Sequence, residues 1–393
     1  MDPARKNVAV LAACQALLFT NNSILVAVNG LAGYALAPDK ALATLPVTMY
    51  FVGSTLAAMP LSLLMKRIGR RAGFTVGAVF AILGSALSAW GVYASAFWLL
   101  CIGVLVLGGY FAAAQYYRFA AADSVPADFK SQAISLVLAG GIVGGFLGPE
   151  TSKLTNDAVA GHAYVGAYLS LIAVAVLTIL LLRWLDIPAL PESALKDAGR
   201  PMSEIARQSA FIVALLSGMV SYGVMNLLMT ATPLAMMDAH HPFSDAAFVI
   251  QWHMVAMFAP SLVTGMVIQR TGLLPVMLTG IALNIVCVVI ALAGMDVAHF
   301  WFALVLLGVG WNFLFVGATT LLTESHTPAE RAKVQGVNDA LIFLTLVVSS
   351  LSSGALFTYQ GWQTMNTWAV PFLLLAGAGI AWLAWLRRQP RAA

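Results

Sequence analysis

Two short motifs place sulfur and nitrogen donors at helical spacing inside long apolar runs: "MNLLM", with Met225 and Met229, and "HMVAM", with His253 and Met257. Residues four apart share one helix face at about 6 Å, so the members of each pair project together. Thioethers and an imidazole with no carboxylate form a soft, neutral donor set. Such a set suits Cu(I) and disfavours Mg(II), Ca(II) or Mn(II). A lone methionine in an apolar helix is ordinarily packing. Here, however, eight of the sixteen methionines fall between residues 219 and 266. An intramembrane histidine also needs a partner, which a metal would supply.

Register adds to this reading. If the two runs make a symmetric antiparallel hairpin turning near residue 241, Met225 stands opposite Met257 and Met229 opposite His253. The turn carries the polar stretch "DAHHPFSD". At that end Met236, Met237, His240 and His241 are candidates for metal capture, against the plain alternative of a solvated loop. The cysteines Cys14, Cys101 and Cys287 are scattered with no CxxC pair, so neither a disulfide nor a thiolate metal site is expected.

The elements that must hold these residues are membrane helices. Of 393 residues, 61% are hydrophobic and only 9% charged, where soluble domains carry roughly a quarter charged. Apolar runs of roughly 20 residues indicate helices rather than a barrel, whose strands alternate in short segments. Twelve runs are expected, centred near Ser23, Leu56, Ile82, Val106, Leu138, Val176, Val220, Ala256, Ile285, Leu306, Leu344 and Leu374. The first follows Arg5 and Lys6 but is too long, and too broken by Asn21, Asn22 and Asn29, for a signal peptide; a retained helix is expected.

One polar, proline-bearing stretch, 186–208, divides the chain. It reads as a cytoplasmic linker between a six-helix bundle at 1–185 and a second at 209–393. "SLLMKRIGRR" at 62–71 and "GMVIQRTGLL" at 265–274 share the pattern small-x-x-x-x-R-x-G, each after the second span of its half. Parallel repeats of this kind mark one large class of transporters. With the N-terminus inside, eighteen of the twenty Lys and Arg fall in cytoplasmic segments, leaving Lys40 and Lys153 outside. That asymmetry puts both termini in the cytoplasm and explains the +4 charge without nucleic acid.

Polar groups within spans are expensive unless partnered. Asn21, Asn22, Asn29, Gln115 and Tyr116 are the candidates in the first half, and for the three asparagines hydrogen bonding between helices is expected over a functional role. Glu150, after Pro149, is a candidate for proton coupling or for the interface beside Lys153. Asp339, in "QGVND", and Arg331 sit near the cytoplasmic mouth of the eleventh span, where coupling, gating and packing are all open.

These loops and their spacing resemble the major facilitator superfamily across nearly the whole chain. The resemblance implies an all-α integral membrane fold of twelve helices in two six-helix bundles. The family's loop signature is kept at Arg67, Gly69, Arg70, Arg270 and Gly272, which implies gating loops there. Ser62 stands at its glycine, and Lys66 and Gln269 at its acids. "GGFLGPE" at 144–150 resembles a fifth-helix motif of antiporters. At Met225, Met229, His253 and Met257 the chain looks like the bacterial CcoA-type copper importers, and "ERAKVQGVNDALIF" at 330–343 looks like a broader group with riboflavin-transporter relatives.

The narrower resemblance implies a copper importer of the inner membrane. It would bind Cu(I) at the four-residue site and pass it to the cytoplasm for cytochrome oxidase assembly, with a cytoplasmic chaperone as acceptor. Copper is then substrate rather than cofactor, the protein is not an enzyme, and a monomer in lipid is expected. The alternatives are a proton-coupled exporter of drugs or metabolites, an importer of an organic solute such as riboflavin, and a copper sensor. No signalling domain supports the last.

Overall fold

The apolar runs become helices because a chain in hydrocarbon must satisfy its backbone internally. The computed structural model describes residues 3–39, 42–156, 158–187 and 199–389. Residues 188–198 of the 186–208 linker, together with Lys40 and Arg391 of the charge pattern, lie outside the described residues. The first half holds α1 (Pro3–Leu36), α2 (Leu45–Ile68), α3 (Arg70–Tyr93), α4 (Phe97–Ala114), α5 (Tyr117–Asp123), α6 (Lys130–Ala139), α7 (Gly141–Thr155) and α8 (Val165–Leu182). After a short α9 (Met202–Ile205) the second half holds α10 (Ser209–Asp238), α11 (Phe243–Phe258), α12 (Ser261–Thr271), α13 (Leu273–Ala293), α14 (Val297–Leu322) and α15 (Arg331–Arg388).

Among the described residues ten helices are long and apolar enough to cross a membrane, and α11 with α12, bent by 41°, makes an eleventh crossing. The bend falls where Pro260 removes a backbone donor. The 58-residue α15 is non-helical at Gly361 (φ 78°, ψ 174°), so it is two helices and the spans number twelve. Every run centre expected from sequence lies inside one of these spans.

The internal repeat is visible in the backbone. Gly69, between α2 and α3, has φ 87° and ψ 162°; Gly272, between α12 and α13, has φ 92° and ψ 158°. This is a region essentially reserved for glycine, so the repeated R-x-G encodes the same reversal twice.

Two compact units emerge, and neither is a plain half of the chain. Unit 1 is Met1–Pro126 and Gly140–Gly199 together with Thr327–Leu344. Unit 2 is Arg200–His326 and Thr345–Ala393 together with Ala127–Ala139. In unit 1 the borrowed segment docks through Ser62, whose hydroxyl donates to the Ala332 carbonyl at 2.7 Å. In unit 2, α6 lies against α12: Ser131 donates to the Gly265 carbonyl at 3.3 Å, Ser135 to that of Ser261, and the Gly265 N–H returns a bond to Ser135 at 3.1 Å. Small residues let these backbones approach.

Candidate functional site

The helices carrying the two motifs are both laid along α14. Gly308 makes this possible on one side, because a side chain there would stand 2.9 Å from the His253 carbonyl oxygen and the Met257 nitrogen. On the other side Ser221 donates to the Trp311 carbonyl at 3.3 Å. The Tyr222 ring meets Trp311 and Phe315 edge-on, with centroids at 5.2 and 4.8 Å. Met225 is one turn beyond Ser221 on the same face, so it reaches the level of α14 at which Met257 also sits. Helices α10 and α11 touch each other less than either touches α14. The symmetric two-helix hairpin expected from sequence is therefore a three-helix arrangement.

Met225 and Met257 are buried, Met229 is half-buried, and His253 has no exposed surface. The Nδ1 of His253 lies 2.7 Å from the Leu304 carbonyl oxygen. A carbonyl can only accept, so Nδ1 carries the proton and Nε2 presents a lone pair. That Nε2 is buried and has no partner among the described residues. Beneath it Asn312 donates to the Met257 carbonyl at 2.7 Å and accepts from Thr264 at 2.7 Å, which ties α14 to the bend at Pro260.

The candidates for metal capture separate. Met236 is fully buried and Met237 is 60% exposed. His240 is exposed in a left-handed turn (φ 62°), whereas the ring of His241 bonds the Met295 carbonyl at 2.7 Å. Among the described residues no three His, Cys, Asp or Glu side chains converge on a metal position.

The two acids diverge as well. Glu150 pairs with Lys153 at 2.7 Å, both largely exposed, as a surface salt bridge does. Asp339 is buried in unit 1 and pairs with Arg118 at 2.7 Å. Of the loop residues, Arg67 and Arg270 are exposed. Arg70 is buried, bonding Gln335 at 2.6 Å and Asp123 at 3.1 Å. Asp123 also pairs with Arg331 at 3.0 Å. Sequence reasoning missed Asp123, Gln335 and Asn312, and treated Arg118 only as a topology marker. The available signal was a guanidinium and an amide inside apolar helices, in "QYYRF" and "GWNFLF". Of the asparagines expected to bond between helices, Asn29 accepts from Tyr168 at 2.6 Å, whereas both side-chain polar atoms of Asn21 are buried without a partner among the described residues. The Tyr116 hydroxyl donates to the Ala58 carbonyl at 2.8 Å.

Comparison with known proteins bears on the whole chain. A family model described as Major Facilitator Superfamily matches residues 11–231 and 214–393. The chain is 40% identical to the riboflavin transporter RfnT of Brucella anthropi, over 95% of this chain and 94% of that one. It is 29% identical to the uncharacterized MFS-type transporter YdeG of Bacillus subtilis, over 87% and 83%. Among solved structures the human organic anion transporter MFSD10 superposes with TM-score 0.79 at 14% identity, covering 97% of this chain and 100% of that one. The Escherichia coli fucose:proton symporter FucP follows with TM-score 0.73 at 17% identity, covering 98% of each. At those identities the structures speak for the fold alone. The comparisons bear out the resemblance to the major facilitator superfamily and give no support to the narrower one to copper importers; a relative that matches nearly end to end is a riboflavin transporter.

Proposed function

The chain belongs to the major facilitator superfamily, and from that premise we propose that it imports riboflavin, or a flavin close to it, by alternating access in the bacterial inner membrane. The observation that carries this reading is the 40% identity to a riboflavin transporter over 95% of the chain and 94% of the relative. An alignment of that extent takes in both halves. Riboflavin is neutral, planar and edged with hydrogen-bonding groups, so its carrier needs flat apolar walls and a few polar contacts rather than a counter-charge. The mainly aliphatic interior also buries aromatic side chains and amides, which suits such a solute. Both termini are placed in the cytoplasm on the distribution of basic residues.

The copper reading survives as a second one on a single observation: His253 turns an unpartnered, deprotonated nitrogen into a core that also holds Met225 and Met257. One strain separates the two. Bacteria that can neither make nor import riboflavin are given this gene, and growth and labelled-riboflavin uptake are measured. Growth on low riboflavin and several-fold faster uptake are expected. No uptake from cells that carry the protein in their membrane would sink the flavin reading. Raised cellular copper in those same cells, abolished by Met225→Leu/His253→Leu, would install the copper one.

A further inference from the structure

We infer that Asp339 is a proton-binding site, and that taking up a proton there releases the Thr327–Leu344 segment from the rest of unit 1. This rests on the transporter reading but not on riboflavin being the solute.

The geometry is lopsided in a way that a purely structural ion pair does not require. Asp339 Oδ1 accepts from Arg118 at 2.7 Å and from Asn338 at 2.9 Å. Its Oδ2 is buried and accepts from nothing among the described residues. Around it the amide nitrogens of Gln115 and Gln335 are also buried without partners. A half-satisfied polar network inside a span is worse than an apolar one, so stability does not explain it. The other buried acid of this segment is accounted for: Glu330 accepts from the Thr327 N–H at 2.9 Å, closing a capping box ahead of α15. Asp339 has no such duty. Glu150, the other acid singled out by sequence, is largely exposed and paired with Lys153.

Arg118 supplies the direction of release. Its guanidinium donates to the backbone and side-chain oxygens of Gln115, in the turn just before α5, at 2.7 and 2.6 Å, and lies over the Phe119 ring at 4.5 Å. It therefore stays in place whether or not Asp339 is charged. The step is the transfer of one proton from a hydronium ion to Asp339 Oδ2. An O–H bond of the hydronium breaks and leaves water, and an O–H bond forms on Oδ2. The carboxylate becomes neutral, and the positive charge remains on Arg118. The charge attraction across the pair is lost, and with it the deepest polar tie of this segment. The charged and titratable groups facing Asp339 are Arg118 and Tyr116 from the fourth span and Arg70 from the third. Further out Asp123 holds both Arg70 and Arg331, and Ser62 holds Ala332. Acidification thus acts first on the inner tie.

The test uses the full-length protein in nanodiscs with Cys14, Cys101 and Cys287 replaced by alanine. Spin labels are placed at Ile68→Cys and Lys333→Cys, both within unit 1, and their separation is measured by pulsed resonance from neutral to acid pH. The expected result is a short separation at neutral pH and a shift in the long-to-short ratio of at least about tenfold on acidification. Asp339→Asn should give the long separation at every pH. Arg118→Gln/Asp339→Asn, which leaves no buried charge unpaired, should be equally insensitive. An unresponsive parent, or variants that follow the parent's pH profile, would overturn the inference. Riboflavin uptake into vesicles under an imposed proton gradient adds a functional readout. The parent should accumulate the vitamin, while Asp339→Asn only equilibrates it. If neither moves riboflavin, the substrate assignment fails while the label distances still decide the latch.

Discussion

His253 and Asn312 are both buried polar residues beside the same bend, yet their bonding differs. Asn312 is used at both ends of its amide, donating to the Met257 carbonyl and accepting from Thr264. Met257 lies where the helix is interrupted, so its carbonyl needs this substitute donor. His253 makes one bond and leaves one nitrogen unpartnered. Removing a satisfied hub strands its partners, whereas removing a half-satisfied ring deletes an unmet need. Asn312→Leu should therefore destabilise the purified protein by about 1–3 kcal/mol. His253→Leu should leave the melting temperature unchanged or raise it. Thermal scans of the two variants side by side check this. A His253→Leu protein as damaged as Asn312→Leu would mean that the ring's bond to Leu304 holds the fold, and the free nitrogen would lose its significance.

At the scale of elements, the twin reversals at Gly69 and Gly272 allow a clean test because space is not at issue. A methyl added at Gly69 meets nothing within 4 Å, and one at Gly272 meets only Pro275, at 3.6 Å. The penalty of Gly69→Ala or Gly272→Ala is then backbone strain alone, about 1–3 kcal/mol each. Asparagine, which eases an ordinary left-handed position, should not rescue a site with ψ near 160°. Stability of the four single variants in denaturant titrations reads this out, and rescue by asparagine would show the loops relaxing. The repeat was legible because R-x-G is a local signal and the spans because apolar runs are local too. The position of α14 was not, since nothing in "MNLLM" or "HMVAM" says which third helix they pack on. Arg118 and Asp339 are 221 residues apart, and no periodicity links them.

At the scale of the molecule, the covalent halves and the compact units do not coincide. Unit 1 includes Thr327–Leu344 from the second half, held by Ser62, Arg70, Arg118 and Asp123. Unit 2 includes Ala127–Ala139 from the first half, held by Gly265 and Ser261. Each half expressed alone would therefore lack a segment that its own unit uses and would expose another. In the first half alone, Arg118 would keep its bonds to Gln115 but lose its carboxylate, which counts against folding. In the second, Asp339 would be stranded in the same way. Cutting the chain within residues 188–198 and expressing both pieces together should restore both partners, because each piece then meets the segment that its unit borrows. The expected outcome is that residues 1–187 and 199–393 are each degraded when made alone. Made together they should accumulate, copurify and melt within a few degrees of the intact chain. A first half that is as protease-resistant alone as in the pair would show that Thr327–Leu344 contributes nothing to unit 1. The ion pair between Arg118 and Asp339 would then be incidental to folding, and only its response to protons would be left to explain its burial.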